Sequence, residues 1–408
     1  MFTESTEKIN RSFKFLLVSR AARSMALIFV TLSLSLYLNI LGYSLVFIGI
    51  LYLVIVFFNM IIALALGMLG DRIGYARTLI IGELLPLIAL LGLALSSNIY
   101  VIAISAIIGG ITGTAGGMRG AFSPGMTAYV ASSWPEEHDR VGRLARINVM
   151  ASVFSIFGGF FLIFHGYLSP IYGNVIAFRL LFAVSFFILL ISFISLMLLK
   201  ERRRPKKTTH IMKGESFRYM LRLILPNMIN GAGIGVAIPL LPLWFELRYG
   251  VSVAYVGEIF TLAYAATALG SYFSGRFLNS ARVRAITVSS VTRAFQGLLL
   301  VAVAFSPLVV LAFSLYALRS GVAGLGAPMR SAISVRGIGN EDYGAASSLQ
   351  GLSTRGSQMT SGASGYLMDA YFSLPLFVGG TLQMAGAFIY YRLIRNWEKK
   401  RETGVART

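Results

Sequence analysis

Few of the 408 residues can do chemistry, and most of those that can are arginines. Lys and Arg number 36 against 16 Asp and Glu, Cys is absent, and the three His are scattered at His138, His165 and His210. Without Cys there is no thiol nucleophile, disulfide, zinc ribbon or iron–sulfur cluster. Isolated His at such spacings build no metal cluster, His box or haem ligand pair. A phosphate-cradling Gly-x-x-x-x-Gly-Lys-Ser/Thr loop is missing, and no Gly-Lys dipeptide occurs. The expectation is a protein that is not an enzyme and carries no cofactor.

What remains is a set of ionisable residues inside long apolar runs, where charge is costly and functional by default. Glu83 lies six residues beyond Arg77, roughly 9 Å along a helix axis. Two readings stand for it: a proton-exchanging coupling site, or a structural ion pair with Arg23 or Arg20. Arg293, Arg319 and Arg355 each fall about ten residues into a run, roughly 15 Å deep. No acid in the second half matches them at that depth. They must face water, carbonyls, a carboxylate from the first half, or an anionic ligand. Arg20, Arg119, Arg146 and Arg179 sit nearer run ends, where they can snorkel. Asn227 and Asn230, among Gly231, Gly233, Gly235, Pro239 and Pro242, give one run amide donors and acceptors and a backbone that can bend.

These residues must be positioned by membrane helices. The chain is 56% hydrophobic and 13% charged, with mean hydropathy +0.74. Soluble domains run nearer 45–50% and about 25%. Twelve apolar runs of about 20 residues follow one another, at 19–41, 45–69, 77–96, 99–121, 143–165, 175–199, 221–245, 253–275, 284–305, 308–330, 344–368 and 374–395. The polar start lacks a small-residue cleavage site, so no cleaved signal peptide is expected. With the N-terminus inside, twenty-six of the 36 Lys and Arg fall in cytoplasmic segments, and only Arg248 lies clearly in an opposite loop. By the positive-inside rule both termini are cytoplasmic. The net charge of +20 is thus mostly topology, and nucleic acid is not an expected partner. The basic stretch from Lys200 divides residues 1–199 from residues 221–408, with 200–220 as a cytoplasmic linker that can also contact anionic lipid headgroups.

The two halves repeat one another. At an offset of 211, Gly113, Met118-Arg119, Ala121 and Ser123 match Gly324, Met329-Arg330, Ala332 and Ser334, while Arg72 and Arg276 end equivalent runs. Two parallel six-helix halves are a transporter architecture. After the second run comes GMLGDRIGYAR, Gly67 to Arg77. It resembles the loop signature of the major facilitator superfamily, G-x-L-a-D-r-x-G-r-k, at Gly67, Leu69, Asp71, Arg72 and Gly74. Tyr75 and Ala76 depart from the two basic residues, and Arg77 follows them. Pro135-Glu136-Glu137 with Arg140 resembles the family's acidic-then-Arg element. Leu315-x-x-x-Arg319 with Gly324 and Gly326 is similar to its proton-transfer motif, displaced from the fourth helix to the tenth. Of its antiporter signature only Gly158-Gly159 survives.

The resemblance implies an all-α fold of twelve transmembrane helices in two pseudo-symmetric six-helix bundles, working by alternating access. It also implies a cytoplasmic gate at Gly67, Asp71, Arg72, Gly74 and Arg77, with Arg119 and Arg140 as partners for Asp71. The cavity would be lined by the first, fourth, seventh and tenth helices. A monomer in the cell membrane is expected, moving a small-molecule substrate. Proton-coupled export of drugs or small organic compounds stands ahead of an organic-anion or metabolite carrier that uses Arg23, Arg293, Arg319 and Arg355. A non-transporting receptor or scaffold is the outside alternative.

Overall fold

A chain that crosses lipid must satisfy its backbone polar groups within each segment, which favours unbroken helices over the apolar runs. The computed structural model describes residues 2–112, 122–134, 137–201, 214–280, 285–336 and 343–402, and its regular elements there are all helical. In chain order they are α1 (Phe2–Ile40), α2 (Leu45–Ile73), α3 (Tyr75–Leu95), α4 (Ile99–Gly109), α5 (Phe122–Ser133), α6 (Glu137–Tyr172), α7 (Asn174–Met197) and α8 (Gly214–Ala237). They continue with α9 (Leu241–Tyr249), α10 (Val253–Ser280), α11 (Ala285–Ala304), α12 (Val309–Arg336), α13 (Tyr343–Ser357), α14 (Ser361–Ala370) and α15 (Leu374–Glu402).

Ten of the described helices are long and apolar enough to cross a membrane. Three expected runs differ from a single straight helix. The fourth, 99–121, stops as α4 at Gly109, where Gly110 takes φ 63° and closes the helix end. Residues 113–121, Arg119 among them, lie outside the described residues. The seventh, 221–245, breaks at Ile238–Leu240 into α8 and α9. Pro239 has no N–H to donate to the preceding turn, and Pro242 sits in the first turn of α9, where a missing N–H costs nothing, so a break is favoured between them. The eleventh, 344–368, passes from α13 to α14 through a 3₁₀ turn at Gln358–Thr360. There the Thr360 hydroxyl donates to Ala232 O of α8 at 2.8 Å and to Ser357 O at 3.1 Å, a side-chain competition that favours local tightening.

Tertiary contacts group the chain into two compact units. The first holds residues 1–206 and 239–264, the second 207–238 and 265–408. In the first, α1 packs on α6 and α7, and α3 on α4 and α7. Phe29, Tyr37, Phe178 and Phe182 interlock between α1 and α7. α6 meets the start of α10 backbone to backbone: a Cβ on Gly159 would lie 2.9 Å from Thr261 N, and one on Gly257 2.8 Å from Ile163 N. Such small-residue seams are how membrane helices gain packing that lipid cannot supply.

In the second unit α15 packs against α8 and α11, and α11 against α12. α10 and α12 approach still more closely, since a Cβ on Gly324 would stand 2.1 Å from Thr267 O. Pro328 cannot donate to Gly324 O, and the Ser271 hydroxyl reaches that carbonyl at 3.3 Å. A polar side chain from the neighbouring helix thereby replaces the missing helical bond.

Candidate functional site

Within the first unit the ionisable residues of the apolar runs converge. Glu83 on α3 is fully buried, and so are Arg20 on α1 and Ser192 on α7. Arg23 donates from Nη1 to one Glu83 oxygen, and the Ser192 hydroxyl donates to the other. Ser19 and Ser192 hydroxyls are 2.8 Å apart. Three helices thus contribute to one buried network, with two guanidinium groups on α1 and a single carboxylate on α3. This is the geometry of an ion pair, with both Glu83 oxygens engaged.

α3 is also held at its two ends. Glu201, just after α7, accepts from the backbone N–H groups of Tyr75 at 3.1 Å and Ala76 at 2.9 Å. At the other end Arg179 donates to Ala94 O and Leu95 O, at 2.9 and 2.7 Å. A carboxylate at the N-terminus and a guanidinium at the C-terminus both complement the helix dipole. Gly74 between α2 and α3 has φ 99°, and a Cβ there would fall 2.7 Å from a Glu201 oxygen. Glycine is therefore required twice over, by conformation and by space. The position of Glu201 is fixed by its neighbour, since Lys200 N donates to the Ser12 hydroxyl and Lys200 O accepts from the Tyr129 hydroxyl.

Asp71 lies in the last turn of α2, with Arg72 and Arg77 exposed on either side of the turn and Gly67 in open space. The Asp71 and Arg140 side chains and the whole of Arg119 lie outside the described residues, so the expected Asp71 contact is not among the geometry seen. The carboxylate that does reach a helix N-terminus here is Glu201. Replacing Glu201 by Gln should weaken the cap by about 0.5–2 kcal/mol. Amide exchange at Tyr75 and Ala76 should accelerate, while exchange in the middle of α3 stays unchanged. Wild-type protection at those two amides in the variant would contradict the cap.

Glu246, in α9, is half-buried, and its Oε2 is buried with no hydrogen-bond partner among the described residues. Burial pushes its carboxyl up from 4.5 to about 7. Because the folded value is the higher one, the folded state binds the extra proton. Stability from this group is therefore greatest below 4.5 and declines as pH rises to about 7. Melting temperatures across that range should fall less in Glu246→Gln than in the wild type. An identical decline would exclude Glu246 as its source.

In the second unit Arg319, Arg293 and Arg330 bond, among the described residues, to neutral groups. Arg319 on α12, 8% exposed, donates from Nη2 to Gln383 Oε1 of α15 at 3.2 Å and lies 5.8 Å from the Tyr316 ring. Its Nε is buried without a partner among the described residues. Arg293 on α11 donates from Nη2 to Asn227 Oδ1 of α8 at 2.8 Å and stacks over Tyr390 of α15 at 4.6 Å. Arg330, not singled out by the sequence, turns back along α12 and donates to Ala323 O at 3.0 Å. Asn230 is half-buried on α8, where Gly386 allows α15 to approach its backbone N, and Arg355 is half-buried on α13. No cluster of His, Cys, Asp and Glu able to hold a metal occurs among the described residues.

A family model described as Major Facilitator Superfamily matches residues 15–225, just over half of the chain. The chain belongs to the major facilitator superfamily. Solved structures share the superfamily fold along nearly the whole length. A bacterial homologue of the human lysosomal transporter Spinster, in an inward-facing conformation, superposes with TM-score 0.70 at 14% identity, covering 96% of this chain and 98% of that one. A D-xylose–proton symporter gives 0.72 at 15%, covering 93% and 97%, and the nucleoside transporter NupG 0.71 at 12%, covering 94% and 99%. At these identities the likeness is one of fold. No match was found among curated proteins. As a superfamily member this is an all-helical multi-pass membrane protein with the fold of a secondary transporter.

Proposed function

We propose that the protein carries a small organic anion across the cell membrane by alternating access, with both termini in the cytoplasm. The observation that carries this reading is Arg319: a guanidinium buried near the middle of the tenth span, bonded to a neutral amide and with Nε unengaged. A permanently charged group placed so is costly unless an anion meets it. Planar, multidentate donors also suit carboxylates and phosphates. Gln383 and Tyr316 add neutral hydrogen-bonding groups around it. The cytoplasmic gate is assigned to Gly67, Asp71, Arg72, Gly74 and Arg77 with Arg119 and Arg140, and the working form to a monomer in lipid.

Proton-coupled drug export is supported less well. Its candidate carboxylate, Glu83, has one oxygen on Arg23 and the other on Ser192. A thermal-stability screen of purified protein against small carboxylates and phosphate esters, sugars, amino acids and lipophilic cations tests the choice. Stabilisation by anions supports the reading. Stabilisation by lipophilic cations alone would replace it with the export reading.

A further inference from the structure

The two units place polar networks at equivalent points and fill them differently. In the first, the first, third and sixth helices contribute Arg23, Glu83 and Ser192. In the second, the equivalent helices α8, α11 and α15 contribute Asn227, Arg293 and Tyr390. Glu83 is the ninth residue of α3, and Arg293 the ninth of α11. Where the first unit has a carboxylate facing arginines, the second has an arginine facing an amide, and Arg330 joins it from α12.

The consequence is unmet donors. Arg293 Nη1 and Arg330 Nη1 are both buried with no hydrogen-bond partner among the described residues. The Arg293 and Arg319 guanidinium groups both bear on Arg330, the second from the same helix. Glu398, two turns further along α15, bears on Tyr390, while among the described residues no carboxylate bears on Arg293 or Arg330. Two like charges in a poorly solvated setting repel and lose hydration together, and unsatisfied charged donors cost more than neutral ones. A compact anion accepting from both Nη1 groups would remove all three penalties at once.

We propose that the second unit holds a resident small-anion site, bounded by Arg293, Arg330, Asn227 and Tyr390, in which the ion does what Glu83 does in the first unit. Arg293 lies eight residues, roughly 12 Å, from the start of α11, and Arg330 six residues, roughly 9 Å, from the end of α12. Both distances put the ion in the cytoplasmic half of the bundle. Its required chemistry is that of a compact inorganic acceptor, met by chloride and by phosphate. The inference stands apart from the identity of the transported solute.

The test is the melting temperature of the purified full chain in chloride, phosphate or gluconate at fixed ionic strength, measured in the wild type and in Arg319→Ala, where gluconate has no solute site to occupy. Chloride, phosphate or both should raise it over gluconate by about 2–5 °C, and which of them does so identifies the ion. Asn227→Asp places a carboxylate against Arg293, as Glu83 stands against Arg23, and should abolish the anion response while raising stability in gluconate. Arg330→Gln should also abolish the response, and it serves if the aspartate variant does not fold. Arg319→Ala should keep the response, because the resident ion is not the solute held at Arg319. Equal melting in all three salts, or a wild-type response in Asn227→Asp or Arg330→Gln, overturns the proposal. Loss of the response in Arg319→Ala overturns the claim that the ion is resident.

Discussion

Glu83→Gln should lower stability by about 3–5 kcal/mol, the loss expected when one partner of a buried pair is removed and the other stays charged. The effect is large because Glu83 answers two guanidinium groups on α1, Arg23 by direct bond and Arg20 from the adjoining turn. Neutralising the carboxylate removes the charge that Arg23 bonds and weakens the Ser192 bond as well. Arg23→Leu alone should cost less, since Arg20 remains beside the carboxylate. The Glu83→Gln, Arg23→Leu double variant should lose less than the sum of the two, with a coupling of about 1–3 kcal/mol. Thermal inactivation of the four proteins in detergent measures the cycle. Strict additivity would mean that the pair contributes nothing as a pair. Glu83→Gln also places an amide beside Arg23, as Asn227 stands beside Arg293, so stability of the variant should become dependent on chloride or phosphate.

The second large effect is expected at Arg319. Truncating a buried charged partner of a bound ion costs about 2–5 kcal/mol, which is roughly 30-fold to several thousand-fold in affinity. Arg319→Ala should therefore lose the anion's binding at concentrations that saturate the wild type. Arg319→Lys should recover only part of it, because a point charge cannot reproduce the planar fork that also holds Gln383. Calorimetric titration of both variants with the best anion from the stability screen gives the comparison. Wild-type affinity in Arg319→Ala would remove the arginine from the site.

How much of this was legible in the sequence depends on the kind of residue. Glu83 and Arg23 stood out because each is a charge inside an apolar run, and charges there must find partners. The sequence left Glu83 open between a coupling site and a pair with Arg23 or Arg20, and the bond seen is the one to Arg23. The helices themselves were legible from hydropathy, and the broken seventh run was foreshadowed by Gly231 to Pro242. The exact break at Ile238–Leu240 was not, because Pro226, Pro239 and Pro242 all lie in that run and α8 passes through the first of them. Glu201 escaped notice because it lies in a basic linker, where a lone acid reads as solvated. Tyr390 and Gln383 escaped because single polar groups in the last helix give no spacing signal. Arg330 was visible only as half of a repeated Met-Arg pair, and its inward turn to Ala323 O is a matter of rotamer. The gate residues show the opposite case. Gly74 was named for its place in the motif, yet the acid at the adjoining helix end is Glu201, which local motif spacing cannot reveal.

Uptake into proteoliposomes tests the central claim most directly. Purified wild type should accumulate a small labelled organic anion, with neither a labelled sugar nor a lipophilic cation taken up above protein-free vesicles. Arg319→Ala, reconstituted at equal density, should reduce that uptake to background. Accumulation of the sugar or the cation by the wild type with no anion uptake, or full anion uptake by Arg319→Ala, would contradict the account.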